Sequence, residues 1–333
     1  MDYILLFVGI LTLSFSGNFL VKGAVELSRN LKLSTLVIGI VVVSFGTSMP
    51  ELVVSVGAAI NSHPEISVGN VIGSNIANIA LVLGLTSLII PIPVKKSTIK
   101  IDWNIMLLAN LLLIAFLLDS KLVFWEGLLF VILLLLYILM SLHISRRETK
   151  KNNESKKPEY SLGLSIVFIL ISSVGLVFGA EWLIKGATGI AVGLGISDLV
   201  ISVSLVAFGT SVPELATSII AALKKETDIS IGNIIGSNIF NVFGILGITS
   251  VIKNIQIIND SLYLNLYWML GASFLLLFFL IPFGKKISSR FMEIVYFVIY
   301  YSTAKSGIIK KWEGAIFVGF YVFYIVWLVN GSF

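Results

Sequence analysis

Apolar runs of transmembrane length alternate with short polar breaks along this chain. A helix crossing ~30 Å of hydrocarbon needs about 17 to 25 predominantly apolar residues. On that criterion ten spans are predicted: Tyr3–Leu27, Leu36–Ile60, Ile66–Ile90, Ile101–Leu118, Leu122–Leu142, Leu162–Thr188, Leu199–Leu223, Ile229–Val251, Leu262–Phe283 and Trp312–Val329. The long polar break from Arg146 to Tyr160 (RRETKKNNESKKPEY) has the charge of a solvated loop and separates two groups of five spans. Residues 1–142 therefore read as one five-helix unit, 143–160 as a central basic loop, and 161–333 as a second five-helix unit. Phe291 to Tyr301 (FMEIVYFVIYY) is apolar but too short to span, and basic residues flank it. It is expected to lie in the membrane interface or to re-enter it.

Composition agrees with this pattern. Of 333 residues, 57% are hydrophobic and only 12% charged. A soluble surface takes about a quarter of residues as charges, so the chain belongs in a membrane. The absence of cysteine excludes disulfides, thiolate metal sites and a cysteine nucleophile. His63 and His143, the only histidines, fall in or beside predicted loops, which argues against a buried imidazole relay. The N-terminus lacks the basic start of a cleaved signal, so the first span is expected to remain as an anchor. Basic residues fall almost entirely on alternate loops, with only Lys121 and Lys253 clearly on the opposite side. That basic side is read as cytoplasmic and both termini as outside.

The decisive pattern is a repeat. GTSMPE (Gly46 to Glu51) recurs as GTSVPE (Gly209 to Glu214), and GNVIGSNIAN (Gly69 to Asn78) recurs as GNIIGSNIFN (Gly232 to Asn241), both at an offset of 163 positions. Because each copy carries an odd number of spans, the second enters the membrane upside down. Inverted repeats are how many transporters place a substrate near the bilayer midplane. The expected fold is an all-α membrane protein of ten transmembrane helices in two inverted five-helix repeats.

Within each copy, proline removes a backbone donor and clashes with the preceding turn, so helices 2 and 7 should break near Gly46–Ser48 and Gly209–Ser211. Freed carbonyls at membrane depth are tolerable where they line a cavity. Thr47 and Glu51, like Thr210 and Glu214, are four apart and share a helix face. Asn70, Ser74 and Asn78 form a polar stripe in the third span, and Asn233, Ser237 and Asn241 form its copy in the eighth. Gly69 and Gly73, and Gly232 and Gly236, make GxxxG ridges that let backbones approach. The donor inventory is all oxygen, which suits a hard cation. Ca²⁺ takes about six to eight oxygens in flexible geometry, and two carboxylates match its charge.

Blander readings apply to part of this set. GxxxG and intramembrane Ser or Asn often serve only as packing and interhelical glue. Asn70, Asn75, Asn233 and Asn238 either touch the ion or brace helices. Glu181 and Lys185 are four apart and read as a local ion pair, whereas Lys22 has Asn18 where that acid would be. A glutamate one residue after proline, twice, at matching positions of two copies, is a functional-site candidate.

These motifs resemble the alpha repeats of the cation/calcium exchanger superfamily, most closely its prokaryotic sodium/calcium exchanger branch, and the resemblance covers nearly the whole chain. It implies that four residues around the midplane, matching Glu51, Asn78, Glu214 and Asn241, bind the ions. It also implies that oxygens of Thr47, Thr210, Ser74 and Ser237, and the backbone at Ser44 and Ala207, complete the Na⁺ and Ca²⁺ positions. Ser48 and Ser211 sit behind these ligands in the motif. Na⁺ and Ca²⁺ would compete for overlapping sites while the first and sixth helices slide across the rest. Several exchangers carry an acid where this chain has Asn241, which bears on stoichiometry and on the coupling ion.

The resulting expectation is a Na⁺/Ca²⁺ antiporter of the plasma membrane that exports Ca²⁺ by alternating access. It is not an enzyme, has no organic cofactor, and has no nucleic-acid or protein partner. Its rivals are a Ca²⁺/H⁺ antiporter, in which Glu51 and Glu214 carry protons, and a non-transporting membrane protein whose acids hold a structural cation.

Overall fold

The computed structural model describes residues 1–61, 63–152, 157–195, 209–256, 261–280 and 307–330. Its helices are α1 (Asp2–Leu31), α2 (Thr35–Thr47), α3 (Met49–Ile60), α4 (Pro64–Ile89), α5 (Thr98–Asp119), α6 (Phe124–Asn152), α7 (Leu162–Gly193), α8 (Val212–Leu223), α9 (Thr227–Ile252), α10 (Ser261–Leu280) and α11 (Lys311–Asn330). Among the described residues eight helices are long and apolar enough to cross a membrane, and nine if the bent pair α2 and α3 counts as one span. Every predicted span has a helix under it, although the predicted seventh is described only from residue 209 and the predicted ninth only to residue 280. The segment 291–301 lies outside the described residues.

Two features depart from the expectation. The stretch expected as a loop from residue 143 is helical as far as Asn152, because α6 runs on past the apolar run through polar residues with good helix propensity. The fold also contains two short antiparallel strand pairs, Ile92–Val94 with Gly307–Ile309 and Lys121–Leu122 with Ile255–Gln256. Each satisfies backbone groups at the ends of neighbouring spans, which a span-by-span reading of hydropathy does not address.

The helices sort by burial. In α4 and α9, 72% and 89% of the membrane-length window is buried, against 28% for α1 and α7 and 22% for α6. The two helices that carry the Gly-Asn motifs are thus the centre of the bundle. Their isoleucines (Ile72, Ile76 and Ile79; Ile231, Ile235 and Ile239) pack in one apolar core with residues of α5, α10 and α11. A second core joins α1 to α7, through Leu20, Val21, Ala24 and Leu176 among others.

Glycine permits the two closest helix contacts. A Cβ on Gly9 would lie 2.5 Å from the Leu183 nitrogen, and one on Gly186 would lie 2.5 Å from the Leu6 nitrogen, so α1 and α7 touch backbone to backbone. A Cβ on Gly232 or Gly236 would lie 2.6 Å from the carbonyl oxygen of Leu36 or Ile40 respectively. The second GxxxG ridge therefore presses α9 onto α2, as the motif implies. The first ridge, Gly69 and Gly73, has no comparable contact among the described residues.

Candidate cation site

The break between α2 and α3 follows from Pro50. With no N–H at that position, the Gly46 carbonyl loses its helical donor. The axis turns by 47°, with Ser48 at φ −89°, ψ 11° between the two pieces. Glu51 consequently sits in the first turn of α3, where the positive end of the helix favours a carboxylate. In the second copy the described residues begin at Gly209 and show the matching start of the second piece. Ser211, at φ −87°, ψ 1°, precedes α8, whose first turn holds Pro213 and Glu214.

The motif helices are irregular at matching places as well. Asn78 opens a π-helical stretch (Asn78–Leu83) within α4, and Asn241 is the second residue of its counterpart (Phe240–Leu246) within α9. A third, Gly39–Val43, precedes the break in α2. Such i→i+5 winding is rare and occurs frequently at functional positions. Here it falls on the two amides that the sequence singles out.

Glu51, Glu214, Asn78 and Asn241 are all fully buried. Among the described residues neither acid has a Lys, Arg or His partner. Both oxygens of Glu51, both amide atoms of Asn78, Oε2 of Glu214 and Oδ1 of Asn241 have no hydrogen-bond partner among the described residues. Buried polar atoms are normally paired, and unpaired buried charge is costly. Two buried acids, with orphaned amide atoms on helical stretches that pack against their helices, therefore suit a cation. Among the described residues no group of three His, Cys, Asp or Glu exists, so two carboxylates with neutral oxygens are the available donors.

Hydroxyls link the two copies. Ser48 Oγ donates to Glu214 Oε1 at 2.8 Å and lies 3.0 Å from Ser237 Oγ, which is 3.5 Å from the same carboxylate oxygen. Thr47 Oγ1 donates to Asn233 Oδ1 at 3.0 Å, and the Ser74 and Thr210 hydroxyls meet at 3.2 Å. Asn70 and Asn233 stand behind the acids as matched braces. Asn70 Nδ2 donates to the Glu51 carbonyl (3.4 Å) and to Ser55 Oγ (3.1 Å), and Asn233 Nδ2 donates to the Glu214 carbonyl (3.4 Å) and to Ser218 Oγ (3.1 Å). Asn75 and Asn238 are buried between α4 and α9. Ser211 Oγ is buried without a partner.

The two expected backbone ligands differ in what the structure describes. The Ser44 carbonyl accepts from Ser48 N–H at 2.9 Å, and Thr47 Oγ1 lies 3.2 Å away; that hydroxyl has one proton, so when it donates to Asn233 Oδ1 the second acceptor position of Ser44 is open. Ala207 lies outside the described residues. Ser55 and Ser218 were missed by the motif reading. They obey the same 163-position offset, and a hydroxyl at matching depth in both copies is the signal that finds them. Asp102 was missed too. It is a buried acid that accepts from Tyr137 Oη at 2.8 Å, outside the repeat motifs. Glu181 and Lys185 do form the expected exposed ion pair, at 2.6 Å. Lys22 instead donates to Tyr160 Oη at 2.7 Å, which ties α1 to the segment preceding α7.

Comparison with known proteins agrees with this architecture. A family model described as sodium/calcium exchanger protein matches residues 1–143 and 164–330. The chain is 30% identical over 364 aligned residues to the sodium/calcium exchanger MaX1 of Methanosarcina acetivorans, covering 98% of this chain and 97% of that one. It is 34% identical to the inner membrane protein YrbG of Escherichia coli over 74% of this chain and 79% of that protein. A solved structure of the sodium-calcium exchanger NCX_Mj superposes with a TM-score of 0.75 at 30% identity, covering 98% of each chain. Family match, relatives and superposition all extend over both halves, and the chain belongs to the sodium/calcium exchanger protein family.

Proposed function

We propose that this protein is an antiporter that exchanges Na⁺ for Ca²⁺ across the membrane and, with the inward Na⁺ gradient of a living cell, exports Ca²⁺. The observation that carries the reading is the pair of fully buried glutamates, Glu51 and Glu214, with no cationic partner among the described residues and with unpaired amide oxygens on the helical stretches packed against them. Glu51, Asn78, Glu214 and Asn241 are the ligands in this reading. Thr47, Thr210, Ser74 and Ser237, with backbone oxygen at Ser44 and Ala207, are the further oxygens. Ca²⁺ accepts such a mixed oxygen shell, and its two charges balance the two carboxylates. Na⁺ competes because it draws on the same hard oxygens with less charge per ion.

In the same reading the ten helices form two inverted repeats of five, residues 1–142 and 161–333, with both termini outside and the central segment 143–160 cytoplasmic. The basic residues of the alternate loops support that orientation. The glycine contact between α1 and α7 supports their movement as one body past the central α4 and α9, exposing the site first to one side and then to the other. The Ser44 carbonyl keeps a second acceptor position beside its helical bond to Ser48, and that position is the one it offers the ion in this reading.

The test is Ca²⁺ uptake into proteoliposomes driven by an outward Na⁺ gradient, with pH clamped on both sides. Uptake that follows the Na⁺ gradient is expected. Uptake that ignores Na⁺ and follows an imposed pH gradient would convert the protein into a Ca²⁺/H⁺ antiporter. Ca²⁺ binding without any flux would make it a non-transporting cation binder.

A further inference from the structure

An asparagine amide serves a cation only through its oxygen, and the reversed orientation points two N–H dipoles at the same place. At Asn241 the surrounding hydrogen bonds decide between the two. The backbone carbonyl of Asn238 can only accept, so the amide group that meets it, at 3.2 Å, must be Nδ2 of Asn75. The sulfur of Met269, a weak acceptor, lies 3.7 Å from the same nitrogen. Asn75 thereby presents Oδ1 to Asn241, and only an N–H can pair with it, which Asn241 Nδ2 does at 3.0 Å. Asn241 Oδ1 is left buried and without a partner.

The matching positions of the other copy lack this arrangement. Asn238, the counterpart of Asn75, donates to the Ile234 carbonyl of its own helix at 2.8 Å, and its Oδ1 is unpaired. Asn78, the counterpart of Asn241, has neither amide atom paired. A simple brace between α4 and α9 needs only the bond from Asn75 to the Asn238 backbone. The second bond, to Asn241, acts on the orientation of a candidate ligand.

From this geometry we infer that Asn75 is a positioning residue that orients the Asn241 amide, so that its carbonyl oxygen rather than its NH₂ group meets the transported cation. The inference rests on the exchange reading above. It assigns Asn75 no contact with the ion. It also distinguishes Asn75 from Asn70 and Asn233, whose Nδ2 bonds are symmetric between the copies and run to backbone and serine.

Equilibrium binding of radiolabelled Ca²⁺ to the purified full chain in detergent, with thermal unfolding recorded alongside, tests it. Asn75→Leu keeps the branched outline of the side chain and removes the amide, and Asn75→Ala serves as a second variant if the bulkier leucine disturbs folding. Either is expected to weaken Ca²⁺ binding by about tenfold, the scale of one hydrogen bond to a charged group. In an Asn241→Ala background the Asn75 substitution should cost nothing further. In an Asn241→Asp background it should also lose its effect, because a carboxylate has two oxygens and needs no orienting. Unchanged Ca²⁺ affinity in the Asn75 variants, or an equal loss with and without the Asn241 side chain, overturns the inference and leaves the exchange reading standing. A wild-type chain that binds no Ca²⁺ overturns both.

Discussion

The two motif copies are nearly the same in sequence and differ in what their acids touch. Glu214 is held at one oxygen by Ser48 and Ser237, while Glu51, its counterpart, has no hydrogen bond to either oxygen. Ser48 crosses from the first copy to the acid of the second, and Ser211 does not return the bond to Glu51. Identical local chemistry has thus produced unequal networks. In the proposed reading, a site between inverted repeats has matched surroundings only if both sides of the membrane are treated alike, and a conformation committed to one side ends that equivalence. That reading assigns the inequality to the state and the equivalence to the sequence.

The largest expected effect treats the acids as equals. Glu51→Gln and Glu214→Gln should each weaken Ca²⁺ binding by a hundredfold or more, since removing one partner from a buried set of charges costs about 3–5 kcal/mol. Folding should survive, because the change removes an unpaired buried charge. Ca²⁺ flux in proteoliposomes beside size-exclusion profiles checks both halves of this. A variant that keeps its flux would remove that glutamate from the site.

Next comes the contact that seats the second copy. Gly236→Ala places a methyl 2.6 Å from the Ile40 carbonyl and 2.9 Å from Ser44 Oγ, at the π-helical turn before the break. It should destabilise the protein by about 1–3 kcal/mol, read as a lower unfolding temperature in detergent.

The comparison itself is sharpened by serine. Ser48→Ala removes a hydrogen bond to a buried carboxylate, worth about 1.5–3 kcal/mol, whereas Ser211→Ala removes an unpaired hydroxyl and should shift stability by no more than ~0.5 kcal/mol in this conformation. If the inequality marks one access state, the two variants should bias Ca²⁺ affinity toward opposite membrane sides, measured in oriented vesicles. Equal effects of both on the same side would show instead that the difference is a fixed property of the two copies. The smallest effect should be symmetric. Ser55→Ala and Ser218→Ala each remove the same brace behind an acid and should each cost about 1 kcal/mol in thermal unfolding.

Much of this was legible beforehand because membrane helices announce themselves by length and polarity. The break at Pro50, the buried acids Glu51 and Glu214, and the central polar stripes all follow from residue types whose cost in hydrocarbon is large. The helical continuation of α6 to Asn152 was not legible, since polar residues with good helix propensity look the same in a solvated loop and in a helix that leaves the membrane. Ser55 and Ser218 were hidden for a related reason. A single hydroxyl in an apolar helix gains meaning only from the asparagine opposite it.

By itself the sequence determined the membrane environment, the duplication, the positions of the broken helix and the identity of the acids, because each depends on local chemistry repeated at a constant spacing. The tertiary structure alone decided which hydroxyl holds which acid, that α9 is pressed against α2 through Gly232 and Gly236, and that Asn75 faces Asn241. Those are contacts between segments distant along the chain, and two copies with matching residues leave either pairing open until the helices pack.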